Sequence, residues 1–402
     1  MDTKVHTILE GTRPARGPAA GALCALVVLM QLAPTTALAG QTERQEAVLL
    51  HTRITGVPPS PTNLNTMEAD LVAGQKEAAA AVAIQQPQFY NNTLKNIWLP
   101  ATNRDESVFV PLNDYVVTAI GMIHDDIPFN TALSADILYT LNASGLPPPS
   151  ASNNNHYATA DANNVDISST LVKTTQTAAY GYPSGAPAGL ITTRGSASAF
   201  FVNGTNRAMF RFTLINHLCH DMETVQDATR PTDRIRRDVS TSPGGDSRVY
   251  LNTCISCHSG MDPMAQAFAY YNFDNTALQM VYTAGAVQHK YAINTTNNPF
   301  GFVTPDNSWA NRWRGGPNSL VLGFDPTLPG SGTGAASLGQ ELAQSQAFAQ
   351  CQVQKAFQAM CLRVPSNAAD TNEVNTLTAA FTANGYKLKQ VFADAALYCT
   401  VP

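Results

Sequence analysis

The sequence predicts a mainly α-helical, loop-rich protein, and three observations carry that prediction. Residues 336–402 hold three successive runs in which apolar side chains recur at helical spacing. Residues 44–86 read as helix with one break, ending in an Ala-rich run to Ile84. Charged residues make up only 13% of the chain while Asn, Thr, Gln, Gly and Pro are plentiful, which suits long hydrogen-bonded loops between helices. No internal repeat points to a solenoid.

The first 39 residues read as a cleaved export signal. Lys4, Arg13 and Arg16 precede the apolar run Ala19–Ala33, and Ala37-Leu38-Ala39 is a small-x-small cleavage site. That run is shorter than the ~20 residues a spanning helix needs, so a cleaved signal is favoured over an anchor. Cys24 lies inside the signal. Cleavage after Ala39 places the protein in the periplasm or otherwise outside the cytoplasm, with no transmembrane span in the part from Gly40 onward. The leader holds three basic and two acidic side chains, so the chain's net −5 becomes −6 without it. Such a charge gives no basic footprint for nucleic acid.

From residue 40 to 195 the chain reads as an N-terminal helical and loop region. Gly56–Pro61 interrupts the first helix, and Asn65 with Glu68 three residues on makes a capping-box start for the next. Val116–Ile123 is apolar. His124, Asp125 and Asp126 are adjacent and diverge, so they read as a turn or solvated surface rather than a metal cluster. Residues 142–195, with three prolines at 147–149 and three asparagines at 153–155, read as a long loop or a boundary between lobes. The next region, 196–330, opens with a helix expected from Ala197 through Arg207 to Glu223, on which His217 and His220 share a face.

Cys254-Ile255-Ser256-Cys257-His258 dominates that region. Two thiols about one helical turn apart, followed at once by an imidazole, form the attachment signature of c-type haem. Both sulfurs can then reach the vinyl groups and His258 can turn its ring to the iron. With 7 Cys and 8 His in 402 residues, about 0.002 such pentads are expected by chance. A zinc site would need a second cysteine pair at ligand spacing, yet Cys219, Cys351, Cys361 and Cys399 are scattered singly. A thioredoxin-like pair would want a βαβ context. One motif leaves room for one haem c only, which sets aside di-haem and multihaem enzymes. The distal iron ligand stays open among Met264, Met280, His217, His220 and His289, with Met209 and Met222 as further candidates; a Met is preferred to a His, and Met261, three residues after His258, is set aside. Arg234, Arg236 and Arg237 read either as partners for haem propionates or as a solvated charge run.

After His258 the chain is expected to stop and start a new helix with Asp262 as N-cap and Pro263 first. Trp309 and Trp313, four apart, are expected either to stack with Arg312 or Arg314 at the propionates or to pack in the core. Gly330–Gly334 reads as a flexible connection. In the C-terminal helical domain, 336–402, Ser345 caps a helix bearing Ala349, Val353, Phe357, Met360 and Val364. Asp370 with Glu373 opens a second helix bearing Val374, Leu377 and Phe381 and ended by Gly385. A third carries Leu388, Val391, Phe392 and Ala395. Export predicts two disulfides. Cys351 and Cys361 share a helix about 15 Å apart and cannot pair, so Cys219 takes one and Cys399 the other. A third helix parallel to the first favours Cys361–Cys399 with Cys219–Cys351 over the opposite pairing.

Five stretches resemble planctomycete-type cytochrome c-associated families: Arg53–Pro61 ("LTGxPP"), Asp125–Asn130 with Ser134–Tyr139 ("PF…TAD"), Cys254–Asp274 ("CxxCH…DP…AFxxxNFD"), Leu342–Cys351 and Asn384–Lys389 ("LAxSxxFxxC…GYxLK"). The resemblance implies an exported haem-bearing protein. The expected task is one-electron transfer with a redox partner protein or dehydrogenase. A peroxidase- or oxygenase-type haem enzyme with an open distal site, and a binding module with structural haem, are the competing readings.

Overall fold

The computed structural model describes residues 35–202, 204–291 and 297–401, with residues 35–41 as backbone only. The leader's basic and apolar segments lie outside the described residues, and the expected cleavage site falls on the backbone of the first helix, Thr35–Thr55. The protein is mainly α. Among the described residues the strands form three antiparallel pairs: β1 (Leu138–Leu141) with β2 (Leu171–Thr174), β3 (Tyr271–Asp274) with β4 (Gln279–Tyr282), and β5 (Ser308–Ala310) with β6 (Ser331–Thr333). The Gly330–Gly334 connection thus contributes a strand.

The break after Thr55 falls where expected, but the next helix begins earlier. Ser60 caps it, its hydroxyl accepting from the Asn63 amide at 3.2 Å, and Pro61 takes the first position. Asn65 and Glu68 therefore lie inside Pro61–Val72, where both accept from Arg44 instead of capping. A separate helix, Lys76–Ile84, buries Ala79, Ala80 and Ala83 completely, the small side chains admitting close backbone approach. Asp114–His124 is capped by Asn113 and buries its whole apolar run. At its C-terminal end, His124 bonds Asp125 and Asp126 pairs with Lys389, which is turn chemistry. Residues 142–195 hold more order than a loop, with helix Asn155–Ala162 and strand β2. The buried His156 joins two chain segments there, its Nε2 accepting from the Leu141 amide at 3.0 Å and its Nδ1 donating to the Pro147 carbonyl at 2.7 Å.

The helix expected from Ala197 to Glu223 is two, Arg194–Phe200 and Arg207–Leu218. Asn206, in the left-handed region at φ 57°, turns the chain between them and donates to the carbonyls of Phe268 and Tyr271. At the C-terminus, Ser345 caps Gln346–Cys361 as expected. That helix ends at Leu362, so Val364 leaves the stripe and is exposed. Asn367, not Asp370, caps Ala368–Ala383, because Asp370 is drawn under the helix by Arg363. Leu388–Thr400 completes the unit. One hydrophobic cluster reaches from Ala47 to Val401, and a smaller one gathers Ile235, Val239 and Tyr250 beside the cysteine motif.

Candidate functional site: the cysteine and histidine turn

The motif sits where a widened turn, Tyr250–Cys254, passes into the helix Ile255–Ala265. The expected stop after His258 does not occur. Pro263 lies inside the helix, and Asp262 is not a cap, since its side chain is taken by other partners. Pro263 forgoes one backbone bond, to Ser259, a loss the buried surroundings of residues 259–265 offset. Gly260 lets the helix meet the buried indole of Trp313: a Cβ there would lie 2.0 Å from the indole Nε1.

Two disulfides join Cys219 to Cys351 and Cys361 to Cys399, the pairing favoured from the sequence. Cys254 and Cys257 keep free thiols and are partly exposed. Cys254 leans on the small Ile235, Val239 and Tyr250 cluster. Cys257 leans on the main core, its Sγ 3.7 Å from the Met222 carbonyl. Burial raises the Cys257 thiol pKa, with Asp221, Cys254 and Glu223 adding to the rise and Ser256 opposing it. The sulfur is thus held as a thiol.

His258 is the best-defined member. Its side chain is 20% exposed, and its Nδ1 lies 3.2 Å from Asp262 Oδ1, one turn further along the helix. Asp262 is fully buried, and burial alone would raise its pKa. The guanidiniums of Arg207 and Arg236 outweigh that and hold the carboxyl far below the usual range. Arg207 Nε donates to Oδ1 at 2.7 Å and Nη2 to Oδ2 at 3.0 Å, while Arg236 Nη2 donates to the Asp262 carbonyl at 2.9 Å. An ionised carboxylate can only accept, so Nδ1 of His258 carries the hydrogen and Nε2 keeps its lone pair. Nε2 has no hydrogen-bond partner among the described residues. This is the tautomer a metal-ligating imidazole needs. The donor set therefore fits covalent haem: two free thiols a turn apart and an imidazole whose Nδ1 is engaged while Nε2 keeps its lone pair.

Arg236 is neither solvated nor a spare cation, as its side chain is 2% exposed and committed to Asp262, Thr205 and the face of Tyr291. Arg234 donates to Gln266 and Ser308, and Arg237 to the Gly301 carbonyl. Trp309 and Trp313 do not stack as a pair. Trp309 lies on β5 and donates to Ser337, Trp313 lies in the following turn against Gly260 and Phe210, and Arg314 holds Glu341. Core packing accounts for both tryptophans.

The distal candidates are scattered. Met264 and Met280 are built into the main core. His217 is fully buried, hydrogen-bonded to the Tyr115 hydroxyl at 2.8 Å and stacked near Trp98 and Phe348. His289 lies in the short turn His289–Tyr291. The segment bearing His220 and Met222 is the one that reaches the motif, through the Met222 carbonyl at Cys257, while His220 bonds Thr224. Among the described residues no group of three or more His, Cys, Asp or Glu is arranged to hold a metal ion; a single histidine is what haem ligation asks of the proximal side. A groove of about 600 Å³ lined by Phe324, Gln350, Asn375 and Tyr386 lies in the C-terminal helices, and no motif residue lines it.

Arg207 and the role of Asp262 escape sequence reasoning. The i,i+4 spacing of His258 and Asp262 was the available signal, hidden by reading Asp262-Pro263 as a helix start. Comparison with protein-family models, curated proteins and solved structures found no match. Among the described residues no helix is long and apolar enough to cross a membrane.

Proposed function

We propose that the chain is an exported monohaem c-type cytochrome that carries one electron to or from a redox partner. One observation carries this reading: the cysteines of Cys254–His258 keep free thiols while four others are paired, and His258 presents Nε2 because Asp262 holds Nδ1. Haem bound here would supply the one-electron iron couple. Cys254 and Cys257 would tether it by thioethers, His258 would ligate from the proximal side, and Asp262 would fix the imidazole's tautomer and direction. The two disulfides accord with an oxidising compartment, where c-type haem is attached.

The test is expression in a host with c-type maturation machinery. Haem stain should stay with the protein on a denaturing gel and vanish in the double variant Cys254→Ala, Cys257→Ala; extraction of all haem into acidic acetone would overturn the reading. A ferrous spectrum unmoved by carbon monoxide marks a carrier with a protein ligand on the distal side. Rapid binding of the gas would instead make the protein a haem enzyme with an open site.

A further inference from the structure

We propose, resting on the haem reading above, that Asp262 is a positioning residue that sets the reduction potential of the iron ligated by His258, with Arg207 as its counterweight. The device is the His258 imidazole with four charged side chains, Asp262, Arg207, Arg236 and Asp238. Asp262 has no exposed side-chain area and Arg236 has 2%, so their charges act where water screens little. Asp262 Oδ1 accepts from both His258 Nδ1, at 3.2 Å, and Arg207 Nε, at 2.7 Å. Arg207 also makes a two-pronged contact with Asp238, at 2.6 and 2.9 Å.

A carboxylate behind a ligating imidazole draws the Nδ1 hydrogen toward itself and leaves more electron density on Nε2, which favours ferric over ferrous iron. Here that pull is moderated. The contact from His258 is longer than the 2.7–2.9 Å common for charge-assisted bonds, because the shorter Arg207 bond competes for the same oxygen. Two guanidiniums against the carboxylates of Asp262 and Asp238 leave the cluster without net charge, so removing either sign leaves a buried imbalance beside the ligand. The two effects, hydrogen bond and charge, have the same sign for each substitution. Losing the Asp262 carboxylate weakens the pull and leaves net positive charge, so reduction becomes easier. Losing the Arg207 guanidinium frees Oδ1 for His258 and leaves net negative charge, so reduction becomes harder. The half-reaction is ferric iron plus one electron to ferrous iron, the electron coming from dithionite in the titration.

The experiment is potentiometric titration of the full-length holoprotein and its Asp262→Asn and Arg207→Gln variants. Asp262→Asn should shift the reduction equilibrium at least tenfold toward ferrous iron, about 59 mV for one electron. Arg207→Gln should shift it the other way. Midpoints that stay within threefold of the unmutated protein, or move in the same direction in both variants, overturn the inference while leaving the haem reading standing. Absence of covalent haem in the unmutated protein overturns both. Where Asp262→Asn does not fold, Arg207→Gln decides alone: a lower midpoint supports the device and an unmoved or higher one overturns it.

Discussion

The Cα atoms of Cys361 and Cys399 lie 5.3 Å apart, joining the C-terminal ends of Gln346–Cys361 and Leu388–Thr400, so the two helices run parallel. The second bridge, Cys219–Cys351, ties the end of Arg207–Leu218 to the first of these helices across 132 residues of sequence. Non-reducing peptide mapping should recover both pairs, and a peptide joining Cys219 to Cys361 would refute the assignment. Replacing either pair by serine should cost about 2–4 kcal/mol in urea unfolding, more for the longer loop.

Gly260 stands two residues from His258 with the Trp313 indole in the place of a side chain. In an open helix Gly260→Ala would stabilise by up to about 1 kcal/mol. Here the clash wins, because Trp313 is wholly buried and cannot yield without moving its neighbours. The variant should lose about 1–3 kcal/mol and shift the tryptophan emission. Equal or greater stability would show that the helix and the indole do not meet as described.

Glu341 holds the turn that delivers Trp313. Its Oε1 accepts from Asn311 Nδ2 at 2.8 Å and from Arg314 Nε at 2.7 Å, and Asn311 in turn accepts from the Trp313 amide at 3.0 Å. The Glu341 side chain is 1% exposed, so Glu341→Ala leaves Arg314 and Asn311 without their buried partner. About 3 kcal/mol should be lost. A loss under 1 kcal/mol in denaturant titration would mean that water replaces the carboxylate freely.

What the sequence disclosed and what it hid divide along a physical line. The stripes of the C-terminal helices were legible because Val374, Leu377, Phe381, Leu388, Val391 and Phe392 repeat at the helical period and are all buried. The Cys254–His258 motif was legible because two thiols three positions apart followed at once by an imidazole stand out in a chain with 7 Cys and 8 His. Two helices begin a few residues before the caps expected for them. Ser60 displaced Asn65, and Asn367 displaced Asp370, because Asn65 and Asp370 were each claimed by an arginine distant or offset in sequence. Asp262 was misread for the same reason. Asp-Pro looks like a helix start until Arg207, 55 residues earlier, arrives to hold the carboxylate. Such partners come from tertiary packing, which local pattern does not carry.

The last prediction concerns His217, which is 2% exposed and whose Nδ1 has no partner among the described residues. Burial drives its pKa well below 6.5, and the nearby Lys355 adds to the shift. The folded protein therefore keeps this imidazole neutral where the unfolded chain takes up a proton. Stability from this group is fully present above about pH 6.5 and is lost as the pH falls, because the unfolded state then binds more protons than the folded one. Between pH 7 and pH 5 the loss amounts to up to about 2 kcal/mol from this residue alone. His217→Gln keeps a polar partner for the Tyr115 hydroxyl but does not titrate, so its stability should fall less over that interval. The measurement is urea unfolding of both proteins at pH 7 and pH 5 with the disulfides intact. Equal losses in the two proteins would show that His217 is charged in the fold or reaches water, and would remove it from the buried core described above.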